Sequence, residues 1–169
     1  MLQPILKYGE RMLHQPATTV DVITPEVLAL ITDMVETMYA APGIGLAAPQ
    51  IGVPLRIFVV DLSLGRDPAG LITMINPVFV EREGMQLEDE GCLSLPNFNA
   101  TVARPARVVL KGLHRDGIEQ QIEGTGLRAR ALQHEMDHLD GRVFVDRLRG
   151  IKREIIVRKI RKLAKSGRW

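Results

Sequence analysis

Apolar positions recur along this chain with two periods, and together they predict a mixture of helices and short strands. Val27, Ile31, Met34, Val35 and Met38 follow the spacing that gathers side chains on one face of a helix. Thr24 before Pro25 and Glu26 reads as the start of that helix, with threonine as N-cap and proline at the first helical position, where no amide hydrogen is missed. The stripe is expected to face the core and to end before Ala41, Pro42 and Gly43, where the turn-prone stretch GIGLAAPQIG begins. Runs rich in β-branched residues at 56–62, 71–81 and 100–113, broken by glycine, proline and Asn-Pro signals, predict antiparallel strands. A second helix is expected from about Thr125, as N-cap, to Leu139, with Gly141 as its stop. Near the end, Ile151, Ile155, Ile156, Ile160 and Leu163 take helical spacing again. With no internal repeat, this order predicts one α+β domain, with antiparallel strands packed around a central helix, an N-terminal helix and a basic C-terminal helix.

Length and charge refine that picture. A chain of 169 residues, 46% apolar, can bury one core and is short for two. Residues 1–150 are therefore expected to form the body and 151–169 a helix of the same domain. No run approaches the roughly 20 apolar residues of a membrane-spanning helix. The opening 13 residues carry Pro4, Lys7, Gly9, Glu10 and Arg11 and lack the apolar stretch of a secretory signal. A cytoplasmic location without membrane contact is expected, and a single cysteine, Cys92, suits a reducing compartment. Eight of the 22 basic residues but only one of the 20 acidic ones, Glu154, lie from Ile151 onward, so a tail of net +7 follows a body of net −5.

The second helix carries the candidate chemistry. In QHEMDHLDG, His134 and His138 stand four residues apart, one above the other on one helix face, and can share a metal. Glu135, beside the first of them, is placed to act as a general base. A metzincin would supply a third histidine where Phe144 stands, and a thermolysin-like enzyme would need a later glutamate, for which the tail offers only Glu154. Cys92 remains, in EDEGCLSLP, where Gly91 lets the backbone approach a ligand closely. Three protein ligands leave a position open to water, as catalytic sites do. Attack on a carbonyl then needs oxyanion donors, and the Gln50 side chain and the backbone N–H of Leu93 are the candidates. Leu127 and Ala131, seven and three residues before His134, are expected to form an apolar pocket wall. Arg130 is expected to face solvent near the pocket mouth. Glu90, Arg104 and Asp137 read either as pairs that orient the ligands or, for the first two, as ordinary surface charge.

The motifs GIGLAAPQ, EGCLS and QHEMDH occur in this order, and the chain resembles the bacterial peptide deformylases from ILKYGERML through to its C-terminal helix. That resemblance implies Cys92, His134 and His138 as metal ligands, Glu135 as proton shuttle, and Gln50 with the Leu93 amide as oxyanion hole. It implies removal of the formyl group from N-formylmethionyl nascent chains, with formate released. It also implies that Ile44, Gly45 and Gly91 pair with the peptide backbone as an added strand. The donor set suits zinc, iron, cobalt or nickel, and the resemblance points to one Fe2+. Relatives of similar layout use the C-terminal helix to bind the ribosome; no sequence-specific nucleic acid is expected, and truncation after Gly150 is expected to weaken ribosome binding while sparing hydrolysis. Two rivals stay open: a non-catalytic relative with a structural metal, against which Glu135 and Gln50 argue, and an amide hydrolase of the same fold acting on another small acyl group.

Overall fold

Thr24 caps the first helix as its sequence predicts, accepting a hydrogen bond from the Val27 amide at 3.3 Å. This helix, α1, runs over Pro25–Ala40 in the computed structural model, which describes all 169 residues. Seven strands follow: β1 (Gly45–Ala47), β2 (Ile57–Val60), β3 (Ile72–Glu83), β4 (Gln86–Gly91), β5 (Asn99–Arg104), β6 (Arg107–Leu113) and β7 (Glu119–Thr125). Two more helices complete the α+β domain, α2 (Gly126–Leu139) and α3 (Ile151–Lys165).

An antiparallel five-stranded sheet in the order β1-β2-β3-β6-β7 forms the centre, and β4 pairs with β5 in a separate two-stranded sheet. The uninterrupted apolar run of β2 follows from its position, because both faces of that strand are covered. Ile57 and Val59 meet Val27, Ile31, Met34 and Met38 of α1 on one side, while Phe58 and Val60 meet Leu132, Met136 and Leu139 of α2 on the other. Helix α2 is thereby held against the sheet. A third apolar cluster joins Ile156 and Ile160 of α3 to Leu95, Val102 and Phe144. The tail helix is therefore docked by its inner face, while Arg158, Lys159, Arg161 and Lys162 face outward.

Several expectations are refined. Thr125 precedes α2 but ends β7, and its side chain makes no capping bond. The run at 100–113 divides at Pro105 and Ala106 into β5 and β6, which belong to different sheets. GIGLAAPQIG is more than a turn, for it contains β1 and a single 3-10 turn over Ala48–Ile51. Because α3 fills part of a core, cutting the chain after Gly150 would uncover Leu95 and Phe144, so truncation cannot separate a docking role from a structural one.

Candidate metal centre and active site

The four-residue spacing on α2 brings the two imidazoles together edge to face, with an interplanar angle of 70° and 3.2 Å between His134 Nε2 and His138 Nε2. Cys92, in the turn after β4, places Sγ 3.3 Å from His138 Nε2. The three donor atoms all lie within 4.8 Å of one another. Two imidazole nitrogens on a single tetrahedral ion, each at about 2.0–2.1 Å, stand about 3.3 Å apart, so the spacing matches the edges of one coordination shell. A thiol and two imidazoles also form a borderline-soft donor set suited to zinc and to the divalent ions of iron, cobalt and nickel. These residues fit a single divalent metal.

Their surroundings drive the two imidazoles in opposite directions. Burial works against a charged His134, yet the neighbouring Cys92 sulfur and Glu90 carboxylate outweigh it and hold its pKa well above the usual range. Burial and the charge of His134 drive His138 the other way. The His134 ring is oriented by its second nitrogen, since Nδ1 lies 2.7 Å from Glu90 Oε2.

Glu90 is itself fixed by a buried ionic network. Arg104 donates to both of its oxygens, Nε at 2.8 Å and a terminal nitrogen at 2.6 Å, and Arg130 adds a third bond at 2.9 Å. Burial raises the Glu90 pKa, but the Arg104 and His134 partners overcome it and hold the carboxyl far below its ordinary value. Arg104 continues to Asp137 at 2.9 Å, which in turn accepts two bonds from Arg147. The expectation for Arg130 is thus corrected: it lines the cavity yet is only 3% exposed, because Glu90 and the Val102 carbonyl satisfy its guanidinium inside the protein. Glu90 and Arg104 are likewise interior groups rather than surface charge.

Glu135 lies on the cavity side of α2 and packs against β1, where a Cβ added at Gly45 would collide with its carboxylate. Burial raises its pKa to about 7, and Oε2 has no hydrogen-bond partner among the protein atoms. Gln50 approaches from the 3-10 turn. Its Oε1 accepts the Ala47 amide at 2.9 Å, which fixes the orientation of the side chain and turns Nε2 toward Ser94 Oγ at 3.1 Å and Cys92 Sγ at 3.7 Å. Leu93 follows Cys92 directly.

These groups border a cavity of about 1070 Å³. Ile44, Gly45, Gly91, Leu127 and Ala131, the five residues singled out for substrate contact, all line it, as do Gln50, Leu93, His134 and Glu135. His138 sits behind them, 1% exposed. Leu64, Leu95 and Phe98 also line the cavity and were not singled out from the sequence. They are loop residues with no periodic pattern, and only their closeness to the EGCLS motif, for Leu95 and Phe98, marks them.

Fold and site together define a class, a single-domain α+β protein whose paired helical histidines and one cysteine form a three-donor cluster beside a peptide-sized cavity, as in mononuclear metal hydrolases. Comparison narrows the class. A sequence model described as polypeptide deformylase matches residues 2–154. The peptide deformylase of Acidobacterium capsulatum is 46% identical over 169 residues, covering 100% of this chain and 99% of that protein, and that of Thermodesulfovibrio yellowstonii is 49% identical over 157 residues, covering 93% and 95%. The crystal structure of a Legionella pneumophila peptide deformylase superposes with a TM-score of 0.92 at 41% identity, covering 99% of this chain and 98% of that one. A Synechococcus elongatus peptide deformylase in complex with actinonin gives 0.87 at 38% identity, covering 99% and 90%. The chain belongs to the peptide deformylase family, whose enzymes remove the formyl group from nascent chains.

Proposed function

We propose that the protein hydrolyses the formyl amide of N-formylmethionyl chains, with Cys92, His134 and His138 holding the metal and Glu135, Gln50 and Leu93 acting on the reacting atoms. The observation that carries this reading is the convergence of Glu135, Gln50 and the donor cluster on one cavity. A bound divalent ion, ferrous iron in the cell by family resemblance, with zinc, nickel or cobalt as substitutes, supplies Lewis acidity that brings water chemistry to neutral pH. Glu135, with its pKa near neutrality, accepts the proton of the attacking water and returns it to the departing amine. Gln50 Nε2 and the Leu93 amide hold the carbonyl oxygen as it gains charge. The substrate backbone lies extended between β1 and β4, each of which is paired on one side only, with Ile44, Gly45 and Gly91 on the two walls and Leu127 and Ala131 receiving the apolar side chain.

The test is release of the acyl group as its acid, formate from formyl-Met-Ala-Ser and acetate from acetyl-Met-Ala-Ser. Release from the first alone is expected, together with loss of metal and of activity in Cys92→Ala. Equal cleavage of both peptides would assign a broader amide hydrolase, and full metal content with normal turnover in Cys92→Ala would remove the cysteine from the ligand set.

The enzyme then works in the cytoplasm beside the ribosome, with the basic face of α3 as the contact. No helix is long and apolar enough to cross a membrane. Attraction of such a face to a polyanion is screened over about 10 Å at 0.1 M salt. Replacing the outward Arg158, Lys159, Arg161 and Lys162 with glutamine leaves the buried Ile156 and Ile160 untouched. That variant is expected to lose low-salt co-sedimentation with ribosomes while keeping peptide turnover. Equal pelleting of variant and parent would leave α3 a purely structural role.

A further inference from the structure

The sequence contains one tryptophan, and its ring is held where the tail meets the catalytic body. Trp169 Nε1 donates to the Tyr8 carbonyl at 2.8 Å, and Lys7 Nζ stands 5.9 Å from the centre of the ring. The ring also meets Phe98 edge to face, with centroids 5.9 Å apart and an interplanar angle of 65°. Phe98 lines the cavity, in the turn that connects Cys92 to β5, and its carbonyl would lie 3.6 Å from a Cβ at Gly91. Three partners from two separate segments fix the indole, and the indole supports one wall of the cavity from behind.

We propose that Trp169 is a positioning residue for substrate binding: it holds Phe98 in place as a wall of the cavity, so that the basic tail takes part in forming the peptide site. The inference rests on the deformylase reading above. Glu135 and Gln50 reach the cavity from α2 and the 3-10 turn, and neither has Phe98 among its hydrogen-bond partners. Loosening the Phe98 side chain is therefore expected to act on peptide affinity and to spare the chemical step, because the bonds that tie this turn to Cys92 are backbone ones, from the Leu95 amide to the Cys92 carbonyl and from the Phe98 amide to the Leu95 carbonyl.

A second route from the indole exists and makes a distinct prediction. The Tyr8 amide donates to the Ser94 carbonyl at 2.9 Å, and Ser94 Oγ accepts from Gln50. Were the indole N–H the important contact, its loss would disturb Gln50 and lower kcat. Trp169→Phe separates the routes, because it keeps an aromatic ring beside Phe98 and removes the donor.

Steady-state kinetics of the metal-loaded enzyme on formyl-Met-Ala-Ser supply the test. Trp169→Ala is expected to raise KM about three- to tenfold, the range that loss of one edge-to-face aromatic contact provides, with kcat within about twofold. Phe98→Ala should match it, the double variant should be no worse than Phe98→Ala alone, and Trp169→Phe should stay close to the parent. Unchanged KM in Trp169→Ala, additive effects in the double variant, or a fall in kcat shared by Trp169→Phe would each overturn the assignment. Should Trp169→Ala fail to fold, Phe98→Ala and Trp169→Phe still decide: the first must raise KM with kcat held, and the second must stay near the parent. A parent enzyme that releases no formate would instead defeat the activity reading, so the two failures are distinguishable.

Discussion

Glu135→Gln is expected to keep one metal ion per chain and to lose about a hundredfold or more in turnover, the scale of a single positioned acid–base group. Glutamine preserves the shape and the fit against β1 but cannot take up a proton. The native carboxyl suits the role because it is 3% exposed and burial brings its pKa up to about 7, so it can both accept and return a proton at neutral pH. Metal analysis with steady-state kinetics decides the matter, and loss of the ion would make Glu135 a ligand instead. Gly45→Ala should reproduce the loss without touching the carboxylate chemically. The added methyl has nowhere to go except into Glu135, and the strand cannot retreat because Gly45 is in register with Val60 of β2. A Gly45→Ala enzyme with normal turnover would show that the position of Glu135 is not critical.

Arg104→Leu should cost about 3–5 kcal/mol of folding stability, the usual penalty for removing one partner of a buried ionic group. At 1% exposure this guanidinium bridges Glu90 and Asp137, and its loss leaves two interior carboxylates with only part of their compensation, from Arg130 and Arg147. Arg104→Lys keeps the charge but cannot reproduce the fork that meets both Glu90 oxygens and Asp137 at once, so an intermediate loss is expected. Urea unfolding of the metal-loaded variants measures both. A change within about 0.5 kcal/mol for Arg104→Leu, the range of ordinary surface substitutions, would mean that the network is not needed for stability.

What the sequence made legible follows from how local each signal is. The faces of α1 and α2 could be read because a 3.6-residue period and a cap or stop residue lie within a few turns of one another. The histidine pair is legible for the same reason, as is Glu135 beside it. Strands β4 and β7 are not legible in the sequence because QLEDEG and EQQIEGT carry few apolar side chains. Each is paired on one side only, so hydrogen bonding to a neighbour defines them more than burial does. Arg130 reads as a solvent-facing residue because nothing near it in sequence neutralises it. Its partner Glu90 stands 40 residues earlier, on a hairpin whose approach to α2 is set by tertiary packing. The contact of Phe98 with Trp169 spans 71 positions and has no periodic signature at all.

The placement of the three donors has a mechanical consequence. Cys92 packs with the cluster that contains α3, whereas His134 and His138 ride on the helix that closes the central sheet. The donor set therefore straddles a seam between two separately filled interiors, and an ion held there would act as a rivet across it. Parting the two halves would then release the ion as well, since neither half holds all three donors. Retention of an ion would then be a property of the whole molecule, governed by how tightly remote interior packing keeps the seam closed as much as by the strength of the individual bonds to sulfur and nitrogen.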